Sequence, residues 1–312
     1  MAQEALRAGG PGKTVIMKKL PFYTHAGFFH ADEVSAYAIC RLADVISGLN
    51  RLTDLGNIPD DGIVADIGRE YGPARLRFDH HQGIIRRGNG YPYASAGLIW
   101  KEFGLMAVTE MMPQLAEKPT RARAIVKRVD ETLIQGIDAH DADNSYALSA
   151  TCSAGSVRVN TISNVIASMN GDDVSDHERQ KLVFLIAADI MENLLRIHII
   201  AAAKFFEACD LFDTLASVEG EVITLSESLP WREIVHERYP DALFVISPSN
   251  HPGNPWSMTA VSVTPESREL KQPIERPDWF EGFIHQGKWI AGGSSIEELK
   301  KLAAYNVASI IH

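Results

Sequence analysis

A short apolar run that ends in a carboxylate constrains this chain more than any other feature. Residues 62–68 read Gly-Ile-Val-Ala-Asp-Ile-Gly, a buried strand closing on Asp66. After a brief link, Leu76 to Phe78 makes a second short strand that runs into Asp79-His80-His81. Upstream, an apolar and aromatic run from Met17 ends at His25. Asp32 to Val45 then reads as a helix with Val34, Ala38, Cys40, Leu42 and Val45 on its apolar face. Strands that finish in an acid or an imidazole are the pattern of an open α/β sheet, whose sites gather beyond the carboxyl ends of the strands.

The rest of the chain fills in this plan. Gly83 to Tyr93 is a glycine-rich loop, followed by a helix over Ser95 to Phe103 with Ser95 as its cap. Pro119 to Gln135 is a further helix, and the acid-rich stretch Ile137 to Asn144 follows its end as a polar loop. A helix near Thr161 to Met169 precedes one long helical pattern from Asp176 to Cys209. Beyond it the texture changes to strands at Val218–Leu225, Ala242–Ser247 and Met258–Val263, with Pro248 to Pro255 as a loop, and a closing helix from Ser295 to Ile311. At 312 residues two domains fit. We expect a leader at 1–17, disordered or vector-derived, a first domain with its linking helix at 18–210, and a smaller second domain at 218–312.

Charge and cysteine content narrow the classes. A formal net charge of −10 argues against broad non-specific binding of duplex DNA, which rests on many Lys and Arg contacts to phosphate. Three widely spaced cysteines argue against a disulfide framework or a zinc ribbon and suit a reducing compartment. No apolar run has the length of a membrane span. We therefore expect a cytoplasmic protein without a membrane partner, or a mitochondrial one if the host is eukaryotic.

The candidate chemistry is metal chemistry. His25, His30, Asp32, Asp66, Asp79, His80, His81 and Asp138 come from four segments, each at the end of an expected element. Singly, each has a bland explanation: a core histidine, a helix-start acid, a turn residue, a surface imidazole. Together they offer the mixed imidazole and carboxylate set that divalent ions take, manganese in particular. Asp138, Asp141 and Asp143 compete for the last position.

Four strings, THAGFFHADEV (24–34), ADIGREY (65–71), RFDHHQ (77–82) and IDAHDAD (137–143), resemble the DHH phosphoesterase superfamily. Within it the chain is similar to the melanocyte-proliferating-gene family over roughly residues 22–308. Weaker strings at Leu229 to Glu233 and Phe283 to Gly293 agree. The resemblance implies a two-domain DHH-phosphoesterase-like α/β fold. It has an N-terminal, mostly parallel sheet flanked by helices, a long linking helix and a smaller C-terminal α/β domain. It implies two metal ions, Mn2+ by preference with Mg2+ or Zn2+ as alternatives. His25 and His30 would hold one ion and Asp32 the other, Asp66 would bridge, and His80 and Asp138 would complete the second, with Asp141 as competitor. His81 would face the scissile phosphate, and Asp79 would orient the histidines. His285, Lys288, Gly292 and Gly293 would bind substrate, although Ser294 and Ser295 follow the glycine pair where the family tends to offer a basic residue. Arg69 stands where a second glycine is expected after Gly68.

The implied activity is 3′–5′ exonuclease hydrolysis of single-stranded RNA or short oligonucleotides by two-metal-activated water. A manganese-dependent pyrophosphatase or dinucleotide phosphodiesterase, and a non-catalytic metal-binding scaffold for nucleotide or protein, are the alternatives. Homo-oligomerisation is left open.

Overall fold

The computed structural model describes residues 18–142 and 160–309. The expected leader, Asp143 and Cys152 lie outside the described residues. The chain divides into two compact units, up to Ala202 and from Ala203 onward.

In the first unit, β1 (Leu20–His25) lies between β2 (Ile46–Leu52) and β3 (Ile63–Ala65). β5 (Arg77–Phe78) follows, and β4 (Tyr71–Gly72) closes the edge, giving a five-stranded sheet in the order β2-β1-β3-β5-β4. All pairings are parallel except β4 with β5. Between β1 and β2 runs α1 (Ala31–Leu42), with all but Arg41 buried. The chain leaves β1 to one side and returns to β3 on the other. The crevice beyond the carboxyl ends of β1 and β3 is therefore the topological switch point, where doubly wound folds bind their ligands. β2 departs from expectation. Its Gly48, Asn50 and Arg51 hide the alternation, as an edge strand with one partner allows.

Helices α2 (Ser95–Met111), α3 (Pro119–Val129), α4 (Gln135–Ala142) and α5 (Ile162–Ser168) complete this unit, with the first part of α6 (His177–Leu215). Ser95 is the first helical residue of α2 rather than its cap, which is Ala94. A π-helical turn over Asp130–Ile134 joins α3 to α4, so the expected polar loop after Gln135 is helical as far as Ala142. Phe22, Phe29, Phe78, Phe103 and Phe184 are fully buried, each worth about 1.5–3 kcal/mol of transfer free energy. The Phe29 and Phe184 rings meet edge to face at 5.5 Å, tying the turn before α1 to α6.

The second unit is a six-stranded sheet, β10-β11-β9-β8-β7-β6. Its strands are β6 (Ala216–Glu219), β7 (Val222–Leu225), β8 (Phe244–His251), β9 (Asn254–Ala260), β10 (Phe283–Ile284) and β11 (Ile290–Gly293). Helices α7 (Arg232–Arg238) and α8 (Ile296–Ala308) accompany it. The single expected strand over 218–225 is a hairpin turning at Gly220, which has φ +60°. The expected loop at 248–255 is largely strand, because β8 and β9 continue toward each other past an irregularity. Ser295 caps α8 by accepting from the Glu298 amide at 3.1 Å. Among the described residues, no helix is long and apolar enough to cross a membrane.

Candidate metal centre

Three parallel strands deliver His25, Asp66 and the Asp79-His80-His81 run to one end of the first sheet. Asp66 follows β3 with φ +62°, a left-handed conformation that an aspartate tolerates better than most residues. Its two oxygens face different ways. Oδ2 lies 3.2 Å from His25 Nε2, and Oδ1 lies 3.4 Å from His80 Nε2.

The helices add the remaining groups. His30, Asp32 and Glu33 sit at the start of α1. Asp32 is buried, and its carboxylate accepts from the Ser95 amide (3.0 Å) and the Ala96 amide (2.6 Å) at the start of α2. These are amides that a helix leaves unpaired, at the end where its dipole favours a negative charge. Glu33 accepts from the His30 amide at 2.9 Å and approaches His25 Nε2 at 3.2 Å. From α4, Asp141 Oδ2 comes within 3.2 Å of His80 Nε2.

Among the described residues, ligand-type atoms within 4.8 Å of one another form three overlapping groups: His25, His30 and Glu33; Asp66, His80 and His81; Asp32, Asp66, His80 and Asp141. Their fit to a cation rests on atoms that lack any other role. His80 Nε2 and Glu33 Oε2 are buried without a hydrogen-bond partner. Three carboxylate oxygens, from Asp141, Asp66 and Asp32, lie 3.2, 3.4 and 3.9 Å from His80 Nε2, yet none is aligned to accept from it. Several oxygens converging on one ring nitrogen without hydrogen bonds are the arrangement of co-ligands around a shared ion. His25 Nδ1 is 3.0 Å from the Ala26 carbonyl oxygen, where it donates, which leaves Nε2 free to ligate.

The electrostatics carry the same signature. Burial works to lower the pKa of His25, but its contacts with Asp66 and Glu33 outweigh that and push it up to about 11. Burial is likewise overcome at His80 by Asp141 and Asp66, with the Asp32 charge adding to them, and its pKa also rises to about 11. Burial and the charges of Asp141 and Asp66 raise Asp32. Asp66 goes the other way. Burial opposes its ionisation, but His25 and His80 hold it below the usual carboxylate range. So many acids around two imidazoles demand positive charge, which protons or a metal can supply.

The groups open on a cavity of about 720 Å³. Asp79 is buried beneath it and accepts from the Arg69 amide (2.6 Å) and the His81 amide (3.0 Å). Its Oδ1 lies 2.7 Å from His81 Nδ1, which leaves the more exposed His81 ring at the cavity wall. Among the described residues Arg69 is the one Lys or Arg lining the cavity, and its Nη2 donates to the His81 carbonyl at 3.2 Å.

The family model described as MYG1_exonuc, uncharacterised protein family (UPF0160), matches residues 22–307. The chain belongs to this family. The human MYG1 exonuclease is 24% identical, with 91% of this chain and 85% of the human protein covered. The MYG1 protein C694.04c of Schizosaccharomyces pombe is 26% identical over 81% and 82%. A solved pGpG-specific phosphodiesterase, PggH from Vibrio, aligns over 94% of this chain and 99% of its own at 13% identity, with a TM-score of 0.28, too low to bear on fold or activity.

Within this MYG1-family chain, His25, His30, Asp32, Asp66 and His80 come together, and Asp141 joins them where Asp138 was favoured. Asp138 is withdrawn from the groups by its own partners. Its Oδ2 accepts from Arg87 Nη2 at 2.6 Å, and its Oδ1 accepts from the Gly97 amide at 2.9 Å. Burial lifts its pKa to about 7, against the lowering effect of Arg87 and the Gly97 amide. Glu33, absent from the expected ligand set, joins His25 and His30. Its signal was its place three residues after His30, from which it reaches back to the His30 amide.

The four expected substrate residues all lie in the second unit. Lys288 Nζ is held 2.7 Å from both oxygens of Glu275, and the exposed His285 packs its ring on Trp289. Gly292 and Gly293 stand in a strand rather than a loop, and Gly292 lines a small cavity with Ser249, His251, Asn254 and Phe283. Both glycines are buried in β11, paired with Ser257 and Trp256. A Cβ on Gly292 would sit 2.8 Å from Asn254, and one on Gly293 would sit 2.9 Å from Leu299. A side chain at either position would therefore press on β9 or α8.

Proposed function

We propose that this chain is a divalent-metal-dependent phosphodiesterase that acts as a 3′–5′ exonuclease on single-stranded RNA or short oligonucleotides. The observation that carries the reading is the Asp66 carboxylate, which presents one oxygen to His25 and the other to His80 and so spans two ligand groups. His25, His30, Glu33 and Asp66 would hold one ion, and Asp32, Asp66, His80 and Asp141 the other. Two Mn2+ ions suit this donor set, with Mg2+ or Zn2+ as alternatives. Divalent ions bound there supply Lewis acidity and a nucleophilic water at neutral pH.

The protein's own groups do the rest. Asp79 orients His81 at the cavity wall, where its ring can donate to a non-bridging phosphate oxygen. Arg69 adds a permanent positive charge beside it. One guanidinium suits a phosphodiester, which carries one negative charge per linkage, better than a highly charged pyrophosphate. The human relative is named an exonuclease, which fits removal of terminal nucleotides.

The test is hydrolysis of 5′-labelled single-stranded RNA with manganese by the wild type, His80→Ala and Asp66→Ala. The expected result is a ladder shortening from the 3′ end that both substitutions abolish. Equal rates in all three proteins would sink the proposal, and loss of the label as a mononucleotide at the outset would reverse the polarity.

A further inference from the structure

A second cavity, of about 470 Å³, is built wholly within the second unit. It is lined by Arg232, Ala260, Ser262, Ser267, Arg268, Leu270, Gly287 and Trp289, with no carboxylate among them. The two strings of this half that stood out in the sequence meet here, Leu229–Glu233 through Arg232 and Phe283–Gly293 through Gly287 and Trp289. The cavity lies by Ala260, at the opposite end of β9 from the residues that pair with Gly292 and Gly293.

Its chemistry is that of an anion beside an aromatic plane. Arg232 and Arg268 make no ion pair with a carboxylate among the described residues, in a chain whose net charge is −10. The Arg232 guanidinium is stacked 5.1 Å over the buried Trp231 ring, which restricts its side chain without neutralising it. His236, behind Ser262, is held below its ordinary pKa by burial first and then by the charges of Lys271 and Arg232, against the opposing charge of Glu266. Two guanidinium groups match a phosphate and the Ser267 hydroxyl, which accepts from the Glu269 amide, keeps its own proton to donate, while the Ser262 hydroxyl is spent on the Thr264 carbonyl and the half-exposed Trp289 indole offers a stacking face. Gly287 keeps the space beside it open, since a Cβ there would come within 3.2 Å of Trp289.

We propose that this cavity binds a nucleoside 5′-phosphate, with Arg232 and Arg268 on the phosphate and Trp289 stacked on the base. The ligand is either a free mononucleotide or the phosphorylated 5′ end of a strand. The site is built from residues of the second unit alone, and binding there does not depend on hydrolysis.

The experiment is calorimetric titration of the full chain with adenosine 5′-monophosphate in EDTA, so that no ion loads the metal centre. Adenosine, inorganic phosphate and a 5′-phosphorylated pentaadenylate serve as the other ligands. Adenosine monophosphate should bind at least ten-fold more tightly than adenosine or phosphate alone. Arg268→Ala and Arg232→Ala should each weaken it about ten-fold or more, and Trp289→Ala should remove the advantage over phosphate. A pentaadenylate that binds more tightly than the mononucleotide, with the same dependence on both arginines, identifies the strand end as the ligand. The reverse order identifies the free nucleotide. Should Trp289→Ala not fold, the two variants of exposed arginines still decide the matter. No binding in EDTA, binding that both arginine variants retain, or phosphate binding as tightly as the nucleotide would each overturn the assignment.

Discussion

Arg87 Nη2 lies 2.6 Å from Asp138 Oδ2, and both side chains are buried. The same guanidinium reaches Asp130 through Nε (2.9 Å) and Nη2 (2.7 Å) and donates through Nη1 to the Pro92 carbonyl. It therefore clamps the loop before α2 to the helix that carries both Asp138 and Asp141. Asp138 is spent on this clamp, which leaves Asp141 to face His80. Asp141→Asn should cut hydrolysis about 100-fold or more, as expected for loss of a metal ligand. Asp138→Asn should mainly lower the melting temperature, and kinetics set beside thermal melts separate the two. Arg87→Leu, which leaves a buried carboxylate uncompensated, should cost about 3–5 kcal/mol in denaturant titrations.

Loading the centre should release protons. His25 and His80 have pKa values pushed up to about 11 without metal, so both are protonated at pH 7, while ligation needs them neutral. The sign for stability follows. A histidine whose folded pKa is raised contributes stability that is complete below its unfolded value near 6.5 and is lost as pH climbs through about 11. Thermal melts in EDTA should thus fall between pH 6.5 and 11, and saturating manganese should flatten the decline. Calorimetry in buffers of different ionisation enthalpy reads the protons directly. A buffer-independent heat of manganese binding would contradict the expectation.

Gly97 should not accept a side chain. A Cβ there would stand 1.8 Å from Asp138 Oδ2 and 2.6 Å from Arg87 Nη2. Gly97→Ala should destabilise by about 1–3 kcal/mol through overpacking, despite the better helix propensity of alanine. The midpoint of urea denaturation checks it.

Arg69→Ala should raise KM for RNA and lower kcat/KM about 10–100-fold, the worth of a charge-assisted contact to phosphate. Arg69→Lys should recover part of the loss. The backbone contact of residue 69 with Asp79 survives both changes, so a fall in melting temperature that matched the kinetic loss would point to a structural role instead.

What the sequence showed of the site was what stands at strand ends. His25, Asp66 and His80 each follow a run of buried residues, and parallel strands bring their ends together without further information. Glu33 was half visible, since its spacing from His30 is local, but its approach to His25 depends on how β1 meets α1. The exchange of Asp138 for Asp141 was not legible. It turns on Arg87, 51 residues away along the chain, and on a helix that continues where acidic, turn-forming residues suggested a loop. β2 was missed because an edge strand need not alternate. The Gly292-Gly293 pair could not be read from the sequence alone, because glycine serves close packing, here against Asn254 and Leu299, as readily as it serves phosphate approach.

The π-helical turn at Asp130–Ile134 holds about one residue more than an α-helical turn and so decides where a change of chain length is felt. Each residue of an α-helix advances the next by about 100° around the axis. Losing one residue from this turn can close it to regular α-helix and leave Asp138 on Arg87 and Asp141 on His80, whereas losing one between Asp138 and Asp141 would turn the two apart by that angle. In a deletion scan this turn should tolerate a loss that the stretch from Asp138 to Asp141 does not.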